Sequence, residues 1–129
     1  MPLKNNKTIL IVEDEVPMIK ALADKFRREG FSVLEAGDGE EGLKIAAEKQ
    51  PDLILLDIVM PKMDGMAMMK KIRVKNKWGE DVPIIMLTNL SDPEDVAEAS
   101  KYKVYDFLVK TDWRLDDVVK LVREKLRLP

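Results

Sequence analysis

Apolar and polar positions along this chain follow two alternating patterns. Short apolar runs, clearest at 9–12 and 53–56, are apolar on both faces, as strands buried inside a parallel sheet are. These runs are too short to form helices. We therefore predict five strands, at 8–13, 32–36, 53–57, 83–88 and 104–109.

The segments between these runs carry apolar residues at helical spacing. In the first, Leu22, Ala23 and Phe26 share a face, and Gly30 follows as a C-terminal stop. Further helices are predicted at 40–49, at 66–75, from Ser91-Asp92-Pro93 onward and at 115–126, whereas residues 78–81 are predicted to form a loop. Strands that alternate with helices predict a doubly wound α/β fold, with a five-stranded parallel sheet covered by helices on both faces.

Polar side chains stand at the ends of four predicted strands. They are Glu13 and Asp14 after the first strand, Asp57 after the third, Thr88 after the fourth and Lys110 after the fifth. Each has an ordinary explanation by itself, such as an acid near a helix start or a β-branched residue in a strand. In open α/β sheets, however, ligands bind beyond the carboxyl ends of the strands. The coincidence at one edge therefore predicts a functional site.

The residue types at this edge indicate a particular chemistry. Three carboxylates would repel one another unless a positive charge lay between them. Mg²⁺ prefers oxygen ligands, so we expect Asp14 and Asp57 to bind it directly and Glu13 to act through a water. Asp57 would then be a nucleophile toward phosphorus and form an aspartyl phosphate. Lys110 would add a point charge and Thr88 a hydrogen bond to the phosphoryl oxygens.

Composition limits the classes of function that remain. With 129 residues, the chain is expected to be one domain, 1–129. A net charge of -2 argues against direct nucleic-acid binding, which usually requires a basic domain. The absence of cysteine and histidine excludes thiol chemistry, an imidazole base and a phosphohistidine on this chain. With no membrane-length apolar stretch and no apolar signal core, we expect no membrane partner and a cytoplasmic location.

Four motifs in order resemble those of receiver domains of two-component response regulators. The resemblance covers about residues 7–128, which we take as the core of the domain. The motifs are Ile11-Val12-Glu13-Asp14-Glu15, Leu55-Leu56-Asp57-Ile58-Val59-Met60-Pro61-Lys62-Met63-Asp64-Gly65, Met86-Leu87-Thr88-Asn89 and Asp106-Phe107-Leu108-Val109-Lys110. The resemblance implies the flavodoxin-like strand order 2-1-3-4-5, which is known for receiver proteins.

The same resemblance implies roles for the residues of the site. Asp57 would accept phosphate from a phosphohistidine on a sensor histidine kinase or a phosphotransfer protein. Glu13 and Asp14 would form the acidic Mg²⁺ pocket with Asp57, joined by the backbone carbonyl of Val59. Lys110 would contact the phosphate. The chain would catalyse only its own phosphorylation and dephosphorylation and would otherwise not be an enzyme.

Thr88 and Phe107 resemble the family's switch pair. On phosphorylation, Thr88 would move to bond a phosphate oxygen and vacate space for the ring of Phe107. The surface formed by the fourth predicted helix, the fifth strand and the last helix would then change shape and bind a downstream effector. A homodimer on phosphorylation is left open, as is whether the chain stands alone or is cut from a longer regulator.

Three departures from the family pattern lead to further expectations. Threonine replaces the usual proline after the lysine, so we expect the Lys110–Thr111 peptide bond to be trans. Lys103 replaces a common glycine, so the preceding helix is expected to end without a left-handed stop. Val59 and Leu90 are apolar where an amide or carboxylate could orient an attacking water, and Asn89 could narrow access to Asp57. We therefore predict slow self-dephosphorylation.

Three other functions remain open from the sequence. A phosphatase of the haloacid dehalogenase type also uses a strand-end aspartate with Mg²⁺, but Glu13-Asp14-Glu15 lacks the expected Asp-x-Asp. A flavodoxin-like flavin carrier would need a phosphate loop after the first strand, where this chain has carboxylates. The third is a receiver-like interaction domain, which would have the same fold but would act without phosphorylation of Asp57.

Overall fold

The computed structural model describes residues 5–88, 93–111 and 113–129, and these form one parallel sheet with helices around it. The five strands run in the order β2-β1-β3-β4-β5, which confirms the predicted topology. Their bounds are β1 Thr8–Val12, β2 Ser32–Ala36, β3 Leu53–Asp57, β4 Ile84–Thr88 and β5 Asp106–Val109. All neighbouring strands pair in parallel, so their carboxyl ends lie at a single edge of the sheet.

Six helices connect and cover these strands in the described residues. They are α1 Val16–Arg28, α2 Gly39–Lys49, α3 Gly65–Lys75, α4 Lys77–Asp81, α5 Pro93–Ser100 and α6 Leu115–Lys125. The loop predicted at 78–81 was wrong, because these residues belong to α4. Asn76 caps this short helix through its side-chain oxygen, which accepts from Gly79 N at 2.8 Å. The predicted cap of α5, Ser91-Asp92, lies outside the described residues.

The core has two parts, one on each face of the sheet. Alternate residues of each central strand point to opposite faces, so Leu10 and Ile54 enter one cluster while Ile9 and Leu53 enter the other. The first cluster is closed by α2, α3 and α5, and the second by α1 and α6. This arrangement confirms the prediction of helices on both faces. Among the described residues, no helix is long and apolar enough to span a bilayer.

The backbone confirms the expectation for the Lys110–Thr111 bond and contradicts the expectation for Lys103. No cis peptide bond occurs among the described residues, so Lys110–Thr111 is trans as predicted. The expectation for Lys103 was wrong, since it adopts the left-handed conformation with φ 62°. The amide of Val104 donates to Ala99 O at 3.1 Å, and Val104 itself is buried. This hydrogen bond and the buried residue after it are features of a Schellman ending, which forms here without glycine.

Arg73 of α3 is a buried cation that holds several segments together. Its Nε donates to Tyr102 O at 2.7 Å, and its Nη1 donates to Gly79 O at 2.9 Å and Val82 O at 2.6 Å. Its contacts with Gly79 O and Val82 O are buried, where a backbone carbonyl needs a hydrogen-bond donor. One side chain therefore joins α3 to α4, to the segment before β4 and to the turn that follows α5.

Candidate functional site

The carboxyl edge of the sheet gathers the acidic residues singled out in the sequence. Glu13 directly follows β1, Asp57 is the last residue of β3, and Asp14 extends beyond Glu13. Carboxylate oxygens of these three residues lie within 4.8 Å of one another. Glu13 and Asp57 are buried and Asp14 is exposed, so the cluster opens to solvent on one side. The arrangement provides several oxygen donors around one small volume, as a hard divalent cation requires.

Lys110 enters this cluster from the end of β5. Its ammonium, with a side chain 5% exposed, forms a salt bridge with Glu13 and lies 3.3 Å from Asp57 Oδ2 and 3.3 Å from Glu15 Oε1. The backbone places it there, because Lys110 N donates to Thr88 O at 2.6 Å. A single buried cation is thus surrounded by three carboxylates, and the carboxylates still outnumber it.

Electrostatics in this cluster favour a proton on Glu13. Burial, followed by interaction with the neighbouring Asp57 carboxyl group, raises the pKa of Glu13 to about 8, against an opposing effect of Lys110. Burial alone would lower the pKa of Lys110, but the hydrogen bond with Glu13 and the charge of Asp57 raise it overall. Glu13 Oε2 is buried and has no hydrogen-bond partner among the described residues. An additional positive charge in this cluster would stabilise ionised Glu13.

Thr88 and Phe107 lie on one face of the sheet. Thr88 ends β4 and is 6% exposed, and it pairs in register with Val109. Phe107 pairs with Met86, two residues before Thr88, and packs against the first core cluster while remaining partly exposed. Because side chains two apart in a strand share a face, the hydroxyl and the ring belong to the same side of the sheet. Their role as a switch pair stays a prediction.

The turn after β3 combines an exposed residue with a very close backbone approach. Val59, two residues after Asp57, is 73% exposed, and the role of its carbonyl as a ligand stays a prediction. Gly65, the first residue of α3, donates from its amide to Ile58 O at 2.8 Å. A Cβ on Gly65 would overlap the backbone carbonyl oxygen of Asp57. Glycine is therefore required for α3 to begin against the strand end that carries Asp57.

Two residues of the site were not assigned a role from the sequence. Glu15 contacts Lys110, which lies 95 residues further along the chain. The backbone of Gly65 lies so close to the carbonyl of Asp57 that it leaves no room for a Cβ. The signal for Glu15 was present as a third acid directly after Glu13-Asp14, before Pro17 of α1. No pattern in the sequence indicates that its side chain turns toward the lysine.

A doubly wound sheet with an acidic cluster and one lysine at its carboxyl edge defines a receiver-type α/β domain. Comparison with known proteins agrees: the family model for the response regulator receiver domain matches residues 9–123, and this chain belongs to that family. Solved structures with the same fold include a CheY-like receiver domain protein from Methanospirillum hungatei, with a TM-score of 0.86 at 26% identity over 94% of each chain. Chemotaxis protein CheY4 of Vibrio cholerae gives a TM-score of 0.84 at 27% identity, covering 92% of this chain and 97% of that one.

Curated relatives are longer than this chain. The probable transcriptional regulator ycf27 of Guillardia theta is 39% identical over 108 residues, 84% of this chain and 41% of that protein. The alkaline phosphatase synthesis transcriptional regulatory protein PhoP of Bacillus subtilis is 37% identical over 105 residues, 81% of this chain and 42% of that protein. The chain thus spans about two-fifths of the length of these relatives.

Proposed function

We propose that this chain is a single phosphoacceptor domain of a two-component phosphorelay, in which Asp57 receives the phosphoryl group. The observation that carries the proposal is the position of Asp57, buried at the carboxyl edge with Lys110 Nζ 3.3 Å from its Oδ2. A carboxylate so placed can attack phosphorus without a general base. The adjacent ammonium can compensate charge on the oxygens of the phosphoryl group.

As in other two-component phosphorelays, the donor would be a phosphohistidine on a sensor histidine kinase or a phosphotransfer protein. It must lie on a partner, since this chain has no histidine. An Asp57 oxygen forms the new O–P bond while the P–N bond of the donor breaks, and the electron pair of that bond stays on the imidazole nitrogen. Lys110 would then donate to a phosphoryl oxygen. Apart from this self-phosphorylation and the later hydrolysis, we propose no enzymatic activity.

A hard cation could be bound by the carboxylates of Glu13, Asp14 and Asp57. The carbonyl of Val59 is the proposed fourth donor. All are oxygen donors, and the buried Glu13 Oε2 has no partner among the described residues. Mg²⁺ bound here would supply positive charge beside the transferred phosphoryl group. Because metal ligands must be deprotonated, Glu13 would release its proton when the metal binds.

The output would be the surface formed by α5, β5 and α6, changed by movement of Thr88 and Phe107. Tyr105, at 67% exposure, and Val96, at 38% exposure, present apolar area on this side to a downstream effector. The names of the relatives as transcriptional regulators support an effector that acts in gene regulation. A cytoplasmic location and dimerisation on phosphorylation belong to the same proposal.

The test of this function is covalent phosphorylation by a small donor. Incubation with acetyl phosphate and Mg²⁺ should add one phosphate-sized mass to the wild-type protein, and Asp57→Ala should gain none. Gain of the same mass by Asp57→Ala would mean that another residue is the acceptor. Multiple turnovers of a phosphate ester, with no stable phosphoprotein, would instead favour the phosphatase alternative.

We also expect the phosphorylated protein to be long-lived. The side chain of Val59, an exposed residue two positions after Asp57, offers no polar group to orient an attacking water. Val59→Asn should shorten the lifetime at least about threefold, because an amide can position water for in-line attack. Decay of the phosphoprotein in Mg²⁺ gives the measurement, with Val74→Asn, an equally exposed valine of α3, as the control. Equal lifetimes for Val59→Asn and the wild type would contradict the expectation.

A further inference from the structure

Glu15 is an acidic residue at the site that the proposed metal cluster does not use. It occupies the N-cap position of α1, yet its side chain makes no capping hydrogen bond to that helix. Side chains at this position normally accept from a backbone amide of the first turn. Instead, Glu15 Oε1 lies 3.3 Å from Lys110 Nζ. The glutamate side chain is 56% exposed and the lysine side chain 5% exposed, so a solvent-exposed carboxylate contacts a buried ammonium.

Most of the hydrogen-bond donors of the Lys110 ammonium are already engaged. An ammonium has three N–H donors, and Lys110 has three carboxylate neighbours, Glu13, Asp57 and Glu15. Two of these contacts are hydrogen bonds, to Glu13 and Glu15, and the third is an ion pair with Asp57 Oδ2 at 3.3 Å. Glu13 and Asp57 belong to the acidic cluster that fits a metal, whereas Glu15 lies outside it. Glu15 is thus the carboxylate that can keep its hold on the lysine when a cation occupies the cluster.

We propose that Glu15 is a positioning residue that restrains Lys110 and so limits the rate at which Asp57 becomes phosphorylated. The proposal rests on the phosphoacceptor function proposed above and adds a residue that sets its rate. To move toward a phosphoryl oxygen, the Lys110 ammonium must lengthen or break its hydrogen bond to Glu15. The Glu15 carboxylate opposes that movement of the lysine.

The first test is the rate of phosphorylation of Glu15→Gln by acetyl phosphate at saturating Mg²⁺. We expect it to rise about threefold to tenfold, in the range usual for coupling between contacting charged residues. Asp24→Asn is the matched control, because it removes one negative charge from an exposed position of the same helix. An unchanged rate in Glu15→Gln, or an equal rise in Asp24→Asn, would overturn the proposal.

A second test asks whether Glu15 acts through the lysine. In a Lys110→Ala background, the Glu15→Gln substitution should no longer change the rate. An equal acceleration in that background would mean that Glu15 acts as a general negative charge. That result would overturn the proposal.

Mg²⁺ binding separates a positioning role from a ligand role. The Kd for Mg²⁺ should change by less than about twofold in Glu15→Gln, whereas loss of a group that holds or orients a metal typically weakens binding by about 10- to 100-fold. A loss of that size would make Glu15 a metal residue and overturn the proposal. A wild-type protein that takes up no phosphate would overturn the proposed function itself. Normal wild-type phosphorylation with no change in Glu15→Gln would overturn this inference alone.

Discussion

Gly65→Ala is expected to destabilise the fold by more than about 4 kcal/mol, a loss reserved for severe steric or packing defects. A Cβ at this position would overlap the carbonyl oxygen of Asp57 and come within 2.9 Å of the Ile58 Cα. Both are backbone atoms of the strand end and its continuation, so no side-chain rotation can relieve the overlap. Either α3 must move away or the end of β3 must shift, and the second change displaces Asp57.

The measurement is urea denaturation of Gly65→Ala beside Gly37→Ala. Gly37 is the matched control, because a Cβ there meets no atom within 4 Å. Its replacement should change the free energy of unfolding by less than about 1 kcal/mol, the size usual for a compatible Gly→Ala change. A Gly65→Ala protein with wild-type stability would show that the close approach to Asp57 does not exist in solution. If the destabilisation is large enough to unfold the protein, Gly65→Ala should lose its helical circular dichroism signal while Gly37→Ala keeps it.

Removal of the buried acid in Glu13→Gln is expected to abolish a large pH dependence of stability. In the metal-free protein, the pKa of Glu13 is raised from 4.5 to about 8. The folded state therefore holds a proton that the unfolded state has released. This contribution is fully present below about pH 4.5 and is lost as the pH rises through about 8. The lost stability is on the order of 5 kcal/mol, since the pKa rises from 4.5 to about 8 and one pKa unit corresponds to roughly 1.4 kcal/mol.

Mg²⁺ should counteract this loss of stability as the pH rises. Ionised Glu13 is the form that supports a cation, so Mg²⁺ affinity should increase as the pH rises toward 8, with release of a proton on binding. Saturating Mg²⁺ should therefore restore stability at alkaline pH in the wild type. Glu13→Gln should bind Mg²⁺ about 10- to 100-fold more weakly, the loss usual for groups that hold or orient a metal.

Unfolding free energies of metal-free protein between pH 5 and 9, together with Mg²⁺ titrations, test both statements about Glu13. Glu48→Gln, an exposed glutamate of α2, is the control and should keep the wild-type profile. The same pH profile in Glu13→Gln and the wild type would contradict the raised pKa. Unchanged Mg²⁺ affinity in Glu13→Gln would contradict its place in the metal site.

Most of the architecture was predictable because a few strong patterns dictate it. The apolar runs at 9–12 and 53–56 can be satisfied only by burial on both faces, which requires a parallel sheet with helices on each side. Parallel strands bring their carboxyl ends to one edge, so Asp57, Thr88 and Lys110 could be assigned to one place although they are far apart in sequence. The strand order came from the family resemblance and is confirmed.

The errors occurred where local conformation depends on specific hydrogen bonds and packing contacts. Residues 77–81 form α4 because Asn76 caps the helix, Trp78 Nε1 donates to Pro51 O at 3.0 Å, and Arg73 binds the Gly79 carbonyl. Lys103 adopts a left-handed conformation that glycine usually provides. It does so because the buried Val104 holds the turn closed through its hydrogen bond to Ala99. Neither outcome is visible in local propensity.

By itself, the sequence determined the alternation along the chain of the five strands with all helices except α4, and the acidic and basic residues that meet at one edge, because burial of apolar runs leaves few alternatives. Only the tertiary structure decided that Glu15 reaches Lys110, that Gly65 lies against Asp57, and that Glu13 is buried with a raised pKa. Such contacts depend on distances of a few ångströms between segments far apart in the chain, which packing sets and sequence spacing does not.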